Sequence, residues 1–232
     1  MKTPMSKECV DYGKLRNLLQ GLKRTTTELS SPGEGDTFIE HGAPGWCLDD
    51  YMGRFAKWAG MPTYDGRNQR RPCSMDALYV DGNGTLVLVE FKKDRIFEPK
   101  SNPHNPQFRR IPGSPEIRDD YRLWLCRKLS DTFVSLALRG VFPRFKDGKW
   151  RKSVKAYIVI CAEKNRWGST NPVARGIRKR NTNYSLPSGL PDYLFGTVRI
   201  IDETRFLTDV VPTFAADFPT AKKACANRPT AS

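Results

Sequence analysis

The chain has 232 residues, 28% charged and 11% aromatic, which is enough for one substantial α/β core and marks a globular protein and not a disordered one. Its 39 Lys and Arg against 25 Asp and Glu leave a net charge of +14. A surplus of that size favours a polyanionic partner through counterion release, nucleic acid first, with plain solubility or an anionic membrane surface as alternatives. No apolar run of about 18 residues is present, so no helix is expected to span a membrane. The first ten residues carry charges and no apolar centre, so no secretion signal is expected.

Six cysteines stand at positions 9, 47, 73, 126, 161 and 225, without C-x-x-C pairing. His41 and His104 are the two histidines, so no zinc site is expected. Cys126 and Cys161 lie in apolar runs and are expected to be reduced core thiols of a cytoplasmic protein.

In chain order, Leu15, Leu18, Leu19 and Leu22 recur at helical spacing and predict an amphipathic helix over residues 11–22. Residues 25–36 are polar, with Gly and Pro, and read as a loop. A second helix is predicted over 45–59, with Trp46, Tyr51, Phe55 and Trp58 available for burial and Gly60 as its stop.

Two apolar runs, 75–80 and 85–91, flank Asp81-Gly82-Asn83-Gly84 and predict a hairpin. With Gly84 in the left-handed position of a three-residue loop, Asp81 pairs with Thr85. Val80 then faces Leu86, Leu78 faces Leu88 and Asp76 faces Glu90. The other face carries Met75, Ala77 and Tyr79 against Phe91, Val89 and Val87, so both faces are apolar and the strands should be central.

Residues 97–112 read as a surface loop. A helix capped by Ser114, with Pro115 at its first position, should run to about Arg139, carrying Ile117, Tyr121, Trp124, Leu125 and Leu129 on one face. A buried strand over 154–162, a basic loop over 165–191, a short strand over 197–201 and a helix or turn over 206–211 follow. Residues 1–36 are expected to form an N-terminal helix and loop, 37–218 the α/β domain, and 219–232 a poorly ordered tail.

The chemical signal is Asp76 followed, fourteen positions on, by Glu90-Phe91-Lys92. Glu90 and Lys92 alternate onto one strand face, and the register brings Asp76 to the same side. Two carboxylates among apolar walls repel and lose hydration, which a hard divalent cation relieves. An E-x-K string alone is weak, since exposed strands often contain one. Here it ends the buried run Leu86-Val87-Leu88-Val89.

On these residues the chain resembles the PD-(D/E)XK nucleases, whose restriction-endonuclease-like core is a mixed sheet between helices. The resemblance covers residues 45–162, roughly half the chain. It implies an α/β fold with a central mixed sheet flanked by helices, and metal-dependent hydrolysis of DNA phosphodiesters. Asp76, Glu90 and the Phe91 backbone carbonyl would bind Mg²⁺, with Mn²⁺ able to substitute, and Lys92 would serve the nucleophile. The chain departs in having Met75 where the family places proline, Pro72 being nearest, and no first strand is legible between Gly60 and Arg70.

Members often add a helix acid. Glu40, Asp49 and Asp50 are the candidates, with Glu40 favoured because first-turn aspartates also suit a helix dipole. Arg118, Arg122 and Lys128 either approach the site or the phosphate backbone or form a solvated basic face. Arg109-Arg110 and Arg178-Lys179-Arg180 are candidate phosphate contacts, with Trp167 and Tyr184 as possible stacking residues. The implied partner is DNA, duplex or branched, with no membrane and with homodimer assembly open. A non-catalytic nucleic-acid-binding module that keeps a nuclease fold is the alternative.

Overall fold

The computed structural model describes residues 9–31, 37–61, 72–93, 96–98, 116–117, 119–143, 149–164 and 195–219. Its strands are β1 (Lys23–Thr25), β2 (Pro44–Cys47), β3 (Ala77–Val80), β4 (Leu86–Lys92), β5 (Phe97–Glu98), β6 (Glu116–Ile117), β7 (Val154–Ile160) and β8 (Thr197–Asp202). Its main helices are α1 (Tyr12–Leu18), α2 (Thr26–Leu29), α3 (Leu48–Trp58) and α4 (Asp119–Leu138). The protein is therefore α/β. Six strands form a mixed open sheet in the order β1-β2-β3-β4-β7-β8, while β5 and β6 pair separately.

The hairpin sets the register of the sheet. Gly84 takes φ 80°. Its amide donates to the Asp81 carbonyl at 2.8 Å, and the Asp81 amide donates to Thr85 at 2.9 Å. The Asp81 carboxylate ties the loop from inside, accepting from the Asn83 amide at 3.0 Å and the Thr85 amide at 2.8 Å. The ladder then pairs Val80 with Leu86 and Leu78 with Leu88, as the loop chemistry predicts. Strands β3 and β4 are antiparallel and adjoin in sequence. Strand β7 is parallel to β4, so the chain needs a crossover, and α4 lies within it.

A side chain at Gly84 would meet two neighbours. An added Cβ lies 2.8 Å from the Tyr12 hydroxyl oxygen and 3.3 Å from Pro219 Cγ. Gly84→Ala is expected to lower stability by about 1–3 kcal/mol through backbone strain and crowding. Urea denaturation should show a lower midpoint at an unchanged slope.

Side-chain alternation sorts the core into two layers. Leu78, Val80, Leu86, Leu88, Ala156, Ile158 and Ile160 pack with Leu15, Leu19, Tyr51, Met52, Phe55, Leu125, Leu129 and Phe133 from the helices. Ala77, Tyr79, Val87, Val89, Phe91, Val159 and Ile201 pack on the opposite side with Ile39, Phe206, Val210 and Val211. Leu15 of α1, with Leu19 and Leu22 just after the helix, joins the larger layer.

Several boundaries differ from the pattern. Residues 45–47, expected to be helical, extend as β2 because Trp46 pairs with Leu78 and with Lys23. The expected loop after Arg24 contains the capped turn α2, where Thr25 and Glu28 form a reciprocal capping box. Glu116 and Ile117 pair with Glu98 and Phe97 as strand, so α4 starts at Asp119 and Ile117 leaves its apolar face. Gly140, at φ 72°, does end that helix. Ser114, Pro115, the basic loop and the tail beyond residue 219 lie outside the described residues. Cys126 and Cys161, expected in the core, are only half-buried. No helix among the described residues is long and apolar enough to cross a membrane.

Candidate active site

Helix α4 opens the hairpin where the acidic residues lie. Asp131 accepts the Cys73 amide at 2.8 Å, and the Thr132 hydroxyl oxygen accepts the Met75 amide at 2.8 Å. The hairpin register would set Met75 opposite Phe91, but the Met75 amide is drawn to the helix instead. The Phe91 amide donates to Asp76 Oδ2 at 2.7 Å. The Asp76 carboxylate therefore ends the ladder in place of a backbone group. The Phe91 carbonyl points to the same side of the strand as its amide and is not engaged by the Met75 amide.

Glu90 lies on the helix-covered side of the sheet and is fully buried. Lys128, from the middle of α4, brings its ammonium 2.9 Å from Asp76 Oδ1 and 2.9 Å from each Glu90 oxygen. Lys92 Nζ lies 3.0 Å from Glu90 Oε1. Both ammoniums also face the Trp124 ring, at 3.8 Å for Lys92 and 4.1 Å for Lys128 from its centroid. Trp124 and Lys128 are four residues apart on α4 and share one face of it. The site is thus two carboxylates and two ammoniums under an indole, in contact with one another.

Burial, with the Asp76 charge behind it, raises Glu90 from its ordinary 4.5 to about 8, against the pull of Lys128 and Lys92. Burial disfavours the Lys128 ammonium, but the Glu90 and Asp76 carboxylates outweigh it and Lys128 is shifted upward. The sign for stability follows. A carboxyl raised on folding contributes stability that is complete below 4.5 and is lost as pH rises to about 8. The metal-free protein is expected to lose stability across that window relative to Glu90→Gln, measured by urea denaturation at several pH values. A relative gain with rising pH would show that Lys128 and Lys92 outweigh the burial of Glu90.

Asp76, Glu90 and Lys92 are brought together. Of the helix acids, Asp49 reaches the site and Glu40 does not. The Ser74 hydroxyl donates to Asp49 Oδ1. Asp49 is exposed as a residue, yet its carboxyl is drawn inward. Partial burial raises it, with the nearby Asp76 charge adding to the shift against the Ser74 bond. Glu40, favoured from sequence, is exposed and follows Ile39, which packs in the layer on the far side of the sheet. Asp50 is exposed and pairs with Arg24 at 3.7 Å.

Among the basic residues, Lys128 enters the site. Arg122 lies within electrostatic reach of Cys126. Arg109, Arg110, Arg118, Arg178, Lys179 and Arg180, with Trp167 and Tyr184, lie outside the described residues. Lys128 stood in the sequence as one of three basic helix residues. Its distinguishing signal is position, between Leu125 and Leu129 on the buried side and one turn before Thr132.

Among the described residues no group of three or more His, Cys, Asp or Glu is arranged to hold a metal ion. The donor chemistry at Asp76 and Glu90 nevertheless suits a hard cation, since three carboxylate oxygens surround one point that a positive charge already fills. Mg²⁺ is commonly held by one or two carboxylates, with water and substrate phosphate completing its shell. The chain matches no protein-family model, no curated protein and no solved structure, so its function is read from this geometry.

Proposed function

We propose that the chain is a metal-dependent nuclease of the PD-(D/E)XK kind, hydrolysing phosphodiester bonds of DNA. The carrying observation is the convergence of Asp76, Glu90 and Lys92 on the helix-covered side of a mixed sheet. The order α1, β2-β3-β4, α4, β7 supports a restriction-endonuclease-like core, with α3 inserted between its first two strands. In this reading β2, at Pro44–Cys47 and not between Gly60 and Arg70, would stand as the first core strand.

Asp76 and Glu90 would hold Mg²⁺ or Mn²⁺, with the Phe91 carbonyl and Asp49 as further donors. Bound there, the cation supplies Lewis acidity and an activated water for attack on phosphorus. The Phe91 amide fixes the Asp76 carboxylate, so its donor atoms are oriented before substrate arrives. Lys92, half-buried beside Trp124, would orient a water or offset charge gathering on phosphate. The net charge of +14 supports DNA as the polyanion.

One observation favours the second reading, a non-catalytic nucleic-acid-binding module. Lys128 already neutralises the carboxylates. Metal-dependent stabilisation separates the two. Mn²⁺ is expected to raise the melting temperature of the wild type and not of Glu90→Gln. At a hundredfold excess over Kd the expected stabilisation is about 2.7 kcal/mol. No Mn²⁺ effect on the wild type would favour the non-catalytic module.

A further inference from the structure

We propose that Lys128 is the resident cation of the site, holding the place between Asp76 and Glu90, and that a divalent metal enters by exchange with its ammonium. The inference rests on the nuclease reading in one respect: a divalent metal must visit these carboxylates.

The geometry of Lys128 carries the proposal. An ordinary ion pair joins one ammonium to one carboxylate. Here a single nitrogen lies 2.9 Å from Asp76 Oδ1 and 2.9 Å from both Glu90 oxygens, the place a shared cation would take. Mg–O bonds near 2.1 Å would require a similar position with the oxygens drawn closer. Two cations cannot occupy that point, so the metal and the ammonium are alternatives. Without either, Glu90 would stand fully buried opposite Asp76 with Lys92 touching one oxygen only. A buried carboxylate left in that state is costly, which explains why a lysine lies on the buried face of α4.

From that same position Lys128 also faces the Trp124 ring. Its four-carbon stem is flexible, and its ammonium lies 4.1 Å from the centre of the Trp124 ring. The indole face can retain the displaced charge through cation–π attraction. The exchange delivers a positive charge beside the carboxylates as metal arrives, where a substrate phosphate would meet it. Lys128 is in this sense a positioning residue: it keeps Asp76 and Glu90 together before metal binds and lowers apparent metal affinity by occupying their shared point.

Calorimetric titration with Mn²⁺ tests this on the full chain as wild type, Lys128→Met, Lys128→Gln and Lys92→Met. If the exchanged state is populated at about one part in ten, both Lys128 variants should bind Mn²⁺ about tenfold tighter than wild type. Lys92→Met should change affinity less, because Lys92 reaches one carboxylate oxygen. Metal-free Lys128→Met should melt lower than wild type and gain more from Mn²⁺. Lys128→Gln keeps hydrogen-bond donors, so it serves if the methionine variant does not fold without metal. Binding to both Lys128 variants that is equal to or weaker than wild type would overturn the exchange while leaving a metal nuclease standing. Absence of Mn²⁺ binding in the wild type and all variants would overturn both readings together. A gain of that size in the Lys128 variants, with little change in Lys92→Met, separates exchange at the shared point from the loss of a nearby positive charge.

Discussion

Asp76→Asn is expected to lose divalent-metal binding and DNA cleavage together while keeping the fold. The side-chain amide has nearly the same shape, and its carbonyl oxygen can still accept the Phe91 amide now bound by Asp76 Oδ2. The other oxygen, which faces Lys128 at 2.9 Å, becomes an uncharged donor in any orientation that keeps that contact. One of the two charges proposed to hold the metal would then be gone, and with it the Lewis acid and the activated water it would supply. A loss of several kcal/mol in barrier corresponds to on the order of a thousandfold or more in rate. Single-turnover cleavage alongside a thermal melt checks both halves. A folded variant that cleaves at the wild-type rate would remove Asp76 from the site.

Lys92→Ala should separate catalysis from metal binding. The Lys92 ammonium touches Glu90 at 3.0 Å and the Trp124 face at 3.8 Å, and it carries no lone pair for a metal when protonated. Glu90 keeps Lys128 as a counter-charge in the variant, so the buried carboxylate is not abandoned. The expected cost is about 2.7–4 kcal/mol in the barrier, roughly 10²–10³ in rate, as for other preorganised electrostatic donors. Mn²⁺ affinity should be unchanged or slightly tighter, since one competing positive charge is removed. Cleavage at the wild-type rate would deprive the E-x-K strand of its catalytic meaning.

The parts of this fold legible in the sequence are those fixed by local chemistry. Asp81 through Gly84 determine the loop, the loop determines the register, and the register carries Asp76 to Glu90. The buried strand β7 is legible for a related reason: Val154–Ile160 is a continuous stretch rich in β-branched residues. Strand β2 is not. Pro44 and Gly45 are poor strand formers, and the strand exists because Trp46 pairs across to Leu78. The two-residue pairing of β5 with β6 is likewise a tertiary event, invisible to periodicity.

The site divides the same way. Asp76, Glu90 and Lys92 follow from alternation along two adjacent strands. Lys128 and Asp49 come from helices, and which helix residue faces the strands depends on how each helix is docked. The Thr132 and Asp131 contacts to the amides of Met75 and Cys73 set that docking for α4. The Ser74 hydroxyl does the corresponding work for Asp49 on α3. None of these three contacts has a sequence signature, which is why Glu40, Asp49 and Asp50, and Arg122 and Lys128, stayed open until the packing was known.

If Asp76, Glu90 and Lys92 hydrolyse DNA with a divalent metal, cleavage must depend on both the cation and Glu90. The most direct measurement incubates the wild-type chain with linear, circular, single-stranded and branched DNA in Mg²⁺, with EDTA and Glu90→Gln as controls. Metal-dependent cleavage of at least one substrate is expected, lost with EDTA and lost in Glu90→Gln. Intact DNA throughout with both Mg²⁺ and Mn²⁺, or cleavage that survives Glu90→Gln, would contradict it.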